Sequence, residues 1–156
     1  RGFLPIEMDA ANPKLCRKAG QAGDTELWLW NGYDRGIMTL SGTDSRSLEA
    51  AFNRFLERFG TGQADRPEPM LNILAYHDKG VWTVHVIPRK VHRPSCYFAE
   101  GDERILLSPA SVDLGGVFIT PRGEDFSKIT AENIMNILEE VCLGENDLKN
   151  LTHYIL

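Results

Sequence analysis

The chain has 156 residues, 42% of them hydrophobic and 25% charged, with a formal net charge of −5. Those values fit one soluble globular domain, and the acidic balance argues against broad binding to nucleic acid or to an anionic membrane. No apolar run approaches the ~18 residues of a membrane span, and no secretory leader is visible. Cys16, Cys96 and Cys142 are odd in number and widely spaced, so free thiols in a cytoplasmic setting are expected in place of a disulfide framework. The first residue is Arg1 and not Met, so the expectation is a single domain over 1–156 that forms the C-terminal piece of a longer protein.

Residues 1–23 are read as an irregular lead-in. Pro5 and Pro13 exclude a continuous helix, Phe3, Leu4 and Ile6 suit a short extended anchor, and Gly20 and Gly23 suit a loop. Glu26–Asn31 alternates Leu27 and Leu29 with Trp28 and Trp30, the period of a strand. Gly32 to Gly36 turns the chain into a second strand over Ile37–Leu40. Asp44 or Thr43 then caps a helix running to Phe59. Leu48, Ala51, Phe52, Phe55, Leu56 and Phe59 share one face of it, a stripe that reads as core and not as a ligand pocket. Gly60 stops the helix, and residues 60–69 form a polar connection.

Met70 to Pro94 is the stretch around which the rest is arranged. Leu71, Ile73 and Ala75 point one way, and Asn72, Leu74 and Tyr76 the other. Asp78-Lys79-Gly80 supplies the turn. The return strand, Val81–Ile87, sets Trp82, Val84 and Val86 against Val81, Thr83, His85 and Ile87. Pro88 ends the ladder, and the densest cationic run in the chain follows: Arg89, Lys90, His92 and Arg93 around Val91.

Beyond it, Pro94–Arg104 reads as a loop with an acidic tip. Ile105–Leu107 and Val117–Thr120 read as short strands, and 108–116 as irregular. Thr130 caps a helix over Ala131–Leu143, with Gly144 as its C′ residue. A last short helix covers Asn146–Leu151. Hairpins with separate helices imply an α+β fold: an antiparallel sheet with helices packed on one face.

The sequence contains no Walker loop, no Gly-x-Gly-x-x-Gly after a strand, no Gly-x-Ser-x-Gly elbow and no His-Glu-x-x-His. Gly115-Gly116 precede a presumed strand, so they read as a backbone bend and not as a phosphate cradle. His77, His85, His92 and Cys96 match no zinc spacing, and no metal or other cofactor is expected. A Cys96–His92 nucleophilic pair has no sign of an activated thiol behind it. What remains is the cationic strand end. Arg89 and Arg93 supply planar forks of donors, with Lys90 and His92 between them, so the four are candidates for binding phosphate or a nucleotide. The competing reading is that these are solvated charges guarding a sheet edge.

Residues 109–151, PASVDLGGVFITPRGEDFSKITAENIMNILEEVCLGENDLKNL, resemble the C-terminal end of the GDP-hexose phosphorylases, Asn72-Ile73-Leu74 and Ile87-Pro88-Arg89 resemble their second-half hairpin, and the opening Gly2-Phe3-Leu4-Pro5-Ile6-Glu7 resembles the segment just downstream of their His-x-His-x-Gln signature. These are the GDP-L-galactose and GDP-D-glucose phosphorylases, related to the histidine-triad and galactose-1-phosphate uridylyltransferase group. Taken whole, the chain most resembles the carboxy-terminal half of bacterial relatives of these enzymes. The resemblance implies a histidine-triad-like half fold. In that family the central histidine of a His-x-His-x-Gln signature attacks the α-phosphate and forms a nucleotidyl-histidine. His77, His85, His92 and His153 stand outside any His-x-His spacing, so no catalytic residue carries over to this chain.

Two functions follow as expectations. One is the fold-completing, ligand-lining C-terminal half of a nucleotidyltransferase or phosphorylase, inactive alone, acting on a nucleotide sugar or dinucleoside polyphosphate. Its partners would be a nucleotide or sugar phosphate and the N-terminal half of the same protein, with a homodimer as a further option. The other is a non-catalytic α+β binding or dimerisation module derived from that fold.

Overall fold

The computed structural model describes residues 4–10, 12, 14–60, 68–153 and 155. Five strands, β1 (Cys16–Ala22), β2 (Thr25–Trp30), β3 (Met38–Gly42), β4 (Leu71–Asp78) and β5 (Val81–Pro88), form one antiparallel sheet in the order β1-β2-β3-β5-β4. The helices are α1 (Pro5–Asp9), α2 (Ser45–Gly60), α3 (Ser95–Phe98), α4 (Ser111–Leu114), α5 (Gly123–Lys128), α6 (Ala131–Val141) and α7 (Glu145–Thr152). The α+β class, with its antiparallel sheet, is the one expected, but helices pack on both faces of the sheet and not on one.

The β4–β5 hairpin runs in unbroken register from Leu71↔Pro88 to Asp78↔Val81. Lys79 (φ 49°) and Gly80 (φ 83°) both adopt left-handed backbone. A two-residue turn of that kind matches the twist of the strands it joins. Asp44, one of the two expected caps, closes the start of α2: its carboxylate accepts the Arg46 and Ser47 amides and the Ser47 hydroxyl. Leu48, Ala51, Phe55 and Phe59 of α2 pack on Leu27, Leu29, Met38, Leu40 and Val86, with Leu148 of α7 beside them. Burying one such side chain contributes roughly 1.5–3 kcal/mol. On the opposite face Trp30 and Ile87 meet Ile6, Leu114 and the Ile137, Leu138 and Val141 stripe of α6.

The two sheet edges differ. β1 carries exposed Arg17 and Lys18, and its pairing with β2 breaks between Lys18 and Gly20. β4 is regular over its whole length.

Several local expectations are corrected. The described residues of the lead-in include α1 and β1. Pro5 occupies the first position of α1, where its missing N–H would have no partner in any case. The Leu4 amide is met by Glu7 Oε2 at 3.1 Å. β1 lacks apolar alternation because it is an edge strand with most of its residues partly or fully exposed. Ile105–Leu107 and Val117–Thr120 do not form strands: the Leu107 amide donates to Ile105 O at 2.8 Å and the Val117 amide to Val112 O at 3.2 Å. Buried carboxylates replace the ladder there: Asp125 Oδ2 accepts the Leu106 amide, and Asp113 Oδ1 accepts the Ile119 amide. α6 ends at Val141, and Gly144, at φ −74°, is the N-cap of α7 instead of a left-handed terminator of α6. Phe3, Pro13 and positions 61–67 of the connection lie outside the described residues.

Candidate ligand-binding site

The cationic strand end divides into one buried arginine and three exposed side chains. Arg89 continues the β5 face that carries Thr83, His85 and Ile87, and only 5% of it is exposed. Its Nη1 donates to Pro109 O at 2.7 Å and to Asn72 Oδ1 at 3.1 Å, and its Nη2 donates to His92 O at 2.5 Å. Burial lowers its pKa, opposed by Cys142 and Asp113. Lys90, His92 and Arg93 are exposed on the following turn, which the Lys90 amide anchors to Val141 O at 2.8 Å. The Arg93 guanidinium lies over the Tyr97 ring, 4.5 Å from its centroid. The four predicted residues are thus contiguous, but Arg89 faces inward to protein carbonyls and the other three face solvent.

The other candidates separate. His77 packs against Trp82 on one sheet face, ring centroids 4.5 Å apart and tilted by 38°, whereas His85 is buried on the other. The Cys96 thiol is pushed up by burial and by the Glu140 carboxylate, the reverse of activation. Among the described residues, no group of three or more His, Cys, Asp or Glu is placed to hold a metal ion. Gly115 and Gly116 pack under the start of α1: a Cβ on Gly115 would lie 2.7 Å from Leu4 Cδ1, and one on Gly116 2.9 Å from Pro5 Cβ.

A cavity of about 330 Å³ lies over the sheet at the far end of the Thr83–Arg89 face, lined by residues including Glu7, Glu26, Trp28, Ser41, Tyr76 and Thr83. Cross-strand register builds its floor. Ser41 pairs with both Glu26 and Thr83, Thr83 pairs with Tyr76, and Trp28 pairs with Thr39. The Trp30 indole donates to Thr39 Oγ1 at 2.8 Å, and Thr39 Oγ1 lies 2.7 Å from His85 Nδ1. The arrangement that leaves fewest buried groups unmatched has Thr39 donating to Nδ1, with the ring hydrogen on Nε2. Nε2 is buried and has no hydrogen-bond partner among the described residues. Burial lowers the His85 pKa to about 4, so the imidazole is neutral at pH 7. At the rim, Glu26 Oε1 holds Lys18 Nζ at 2.6 Å, and Oε2 accepts the Trp28 indole at 3.2 Å.

Sequence reasoning treated these residues only as strand alternation. The usable signal was the register: pairing the two hairpins places Trp28, Thr39, Ser41, Thr83 and Tyr76 on one face.

A family model described as GDPGP1-like, C-terminal domain, matches residues 34–156. Neither a curated protein nor a solved structure matches the chain.

Proposed function

Because the chain belongs to the GDPGP1-like C-terminal domain family, we propose that it is the fold-completing and ligand-lining half of a nucleotidyltransferase or phosphorylase acting on a nucleotide sugar or dinucleoside polyphosphate. The observation that carries the proposal is the family match over 34–156, set beside a sequence that contains no His-x-His element. Covalent nucleotidyl transfer needs a nucleophile, so the proposal assigns that group to an N-terminal half and gives this half a binding role. We assign Lys90, His92 and Arg93 to contact with a phosphate, on a turn held in place by Arg89. Exposed cations contribute little one by one, and a set fixed on a rigid turn contributes more. Free thiols at Cys16, Cys96 and Cys142 support assigning a reducing, cytoplasmic compartment. Among the described residues no helix is long and apolar enough to cross a membrane.

Incubating the chain with a GDP-hexose and phosphate tests the catalytic half of the proposal: no hexose 1-phosphate should appear. Turnover that survives further purification would overturn it. Calorimetric titration of GMP and phosphate tests the binding half. Arg93→Ala should weaken binding, and equal affinity in wild type and variant would reject the assignment.

A further inference from the structure

Resting on the reading of this chain as a ligand-lining half, we infer that the cavity over the sheet is a second subsite, distinct from the cationic turn, which takes an uncharged ring bearing several hydroxyl or amide groups and excludes phosphate. The chemistry of the lining selects this class. Ser41 and Thr83 stand directly opposite each other at the centre of the floor, with Glu26 beyond one and Tyr76 beyond the other. One carboxylate and three hydroxyls therefore follow one another across neighbouring strands, and their oxygens can accept hydrogen bonds from a ring's edge. Trp28 and Tyr76 offer aromatic surface to its face.

Among the described lining residues there is no lysine, arginine or histidine, while Glu7 and Glu26 are present. A phosphate there would meet like charge, and the cation at the rim, Lys18, is already engaged by Glu26 at 2.6 Å, a costly arrangement away from bulk water. An organic cation is less well matched than a neutral ring, because Lys18 already neutralises Glu26. A volume of about 330 Å³ is near the lower limit for small-molecule pockets, which suits one ring. Thr83 and Arg89 are separated by roughly 20 Å along β5 at about 3.3 Å per residue. The two regions therefore do not hold directly bonded parts of one ligand. A monosaccharide and a nucleobase share the required chemistry.

The test titrates D-glucose, guanosine, inorganic phosphate and choline into the full chain, followed by tryptophan fluorescence and calorimetry. Saturable binding of glucose or of guanosine is expected, and which of them binds identifies the source of the ring. Trp28→Ala and Thr83→Val should each weaken that binding about tenfold or more, about 1.4 kcal/mol. Trp28→Phe, which keeps an aromatic face, should stay within about threefold, and Phe126→Ala, at a side chain 75% exposed on α5, should leave it unchanged. Circular dichroism confirms that each variant is folded. Failure of both neutral probes to bind overturns the inference, as does an unchanged affinity in folded Trp28→Ala and Thr83→Val. Phosphate or choline binding that Trp28→Ala abolishes overturns it too. Phosphate binding that Arg93→Ala weakens, in a protein that binds neither neutral probe, would sink this inference and leave the proposed function standing.

Discussion

The guanidinium of Arg89 donates to the carbonyl of Pro109 at 2.7 Å, across 20 residues of sequence. It also holds His92 O and Asn72 Oδ1, so one side chain ties the end of β5 to the turn after it, to β4 and to the segment before α4. Lysine keeps the charge but lacks the planar fork that meets several acceptors at once. Arg89→Lys should therefore cost about 2–4 kcal/mol, since buried acceptors would be left without donors. Urea unfolding of the two proteins measures it, and a change below about 0.5 kcal/mol would refute this role.

Phe55 is fully buried between α2 and the sheet and stacks on Phe59 at 5.5 Å. Phe55→Ala should cost about 3–5 kcal/mol, because the surrounding core cannot fully collapse onto the cavity. Phe126 is 75% exposed, and Phe126→Ala should change stability by no more than about 0.5 kcal/mol. Comparing the two variants in denaturant separates burial from aromatic content.

Gly36 is required for close approach. A Cβ there would lie 2.9 Å from both Gly144 O and Leu143 O, and the Gly36 amide already donates to Leu143 O at 2.6 Å. Gly36→Ala should destabilise by about 1–3 kcal/mol, because backbone on both sides must move. A thermal melt showing wild-type stability would contradict that packing.

The buried imidazole of His85 gives a pH signature. Burial lowers its pKa from 6.5 to about 4, against an opposing pull from Glu7. The unfolded chain therefore takes up this proton first. The contribution to stability is complete above pH 6.5, declines as the pH falls, and is fully lost below about 4. The whole effect is on the order of 3 kcal/mol. His85→Gln should flatten this limb in urea unfolding across the same range. The further loss at lower pH should persist, because Asp24, Asp44 and Asp125 are held below 3.8 by hydrogen bonds. An unaltered limb would assign the dependence to other groups.

The parts of the fold legible in the sequence were those whose burial imposes a period. β2, β3, β4 and β5 alternate, and α2 and α6 carry stripes, because each presents one face to the core. β1 was missed because an edge strand of Arg17, Lys18, Gly20 and Gln21 buries little and has no reason to alternate. Ile105–Leu107 misled for the opposite reason. Its apolar residues are buried, yet the Leu106 amide finds Asp125 and not a neighbouring strand, and a run of three residues cannot reveal that. At the candidate site, the cationic residues were visible as a cluster, but which of them turns inward depended on the carbonyls of Pro109 and His92. The cavity was invisible until register brought Ser41 opposite Thr83.

The unequal edges of the sheet bear on how such a molecule can associate. β1 has exposed cations and a break in register, features that discourage a further strand. β4 has neither lysine, arginine nor proline over Leu71–Asp78 and keeps unbroken register. Pairing that used β4 of two copies would consume the receptive edge of each and close under two-fold symmetry. Growth head to tail would need a receptive edge on both sides, so the exposed cations and broken register of β1 disfavour continued sheet-to-sheet addition.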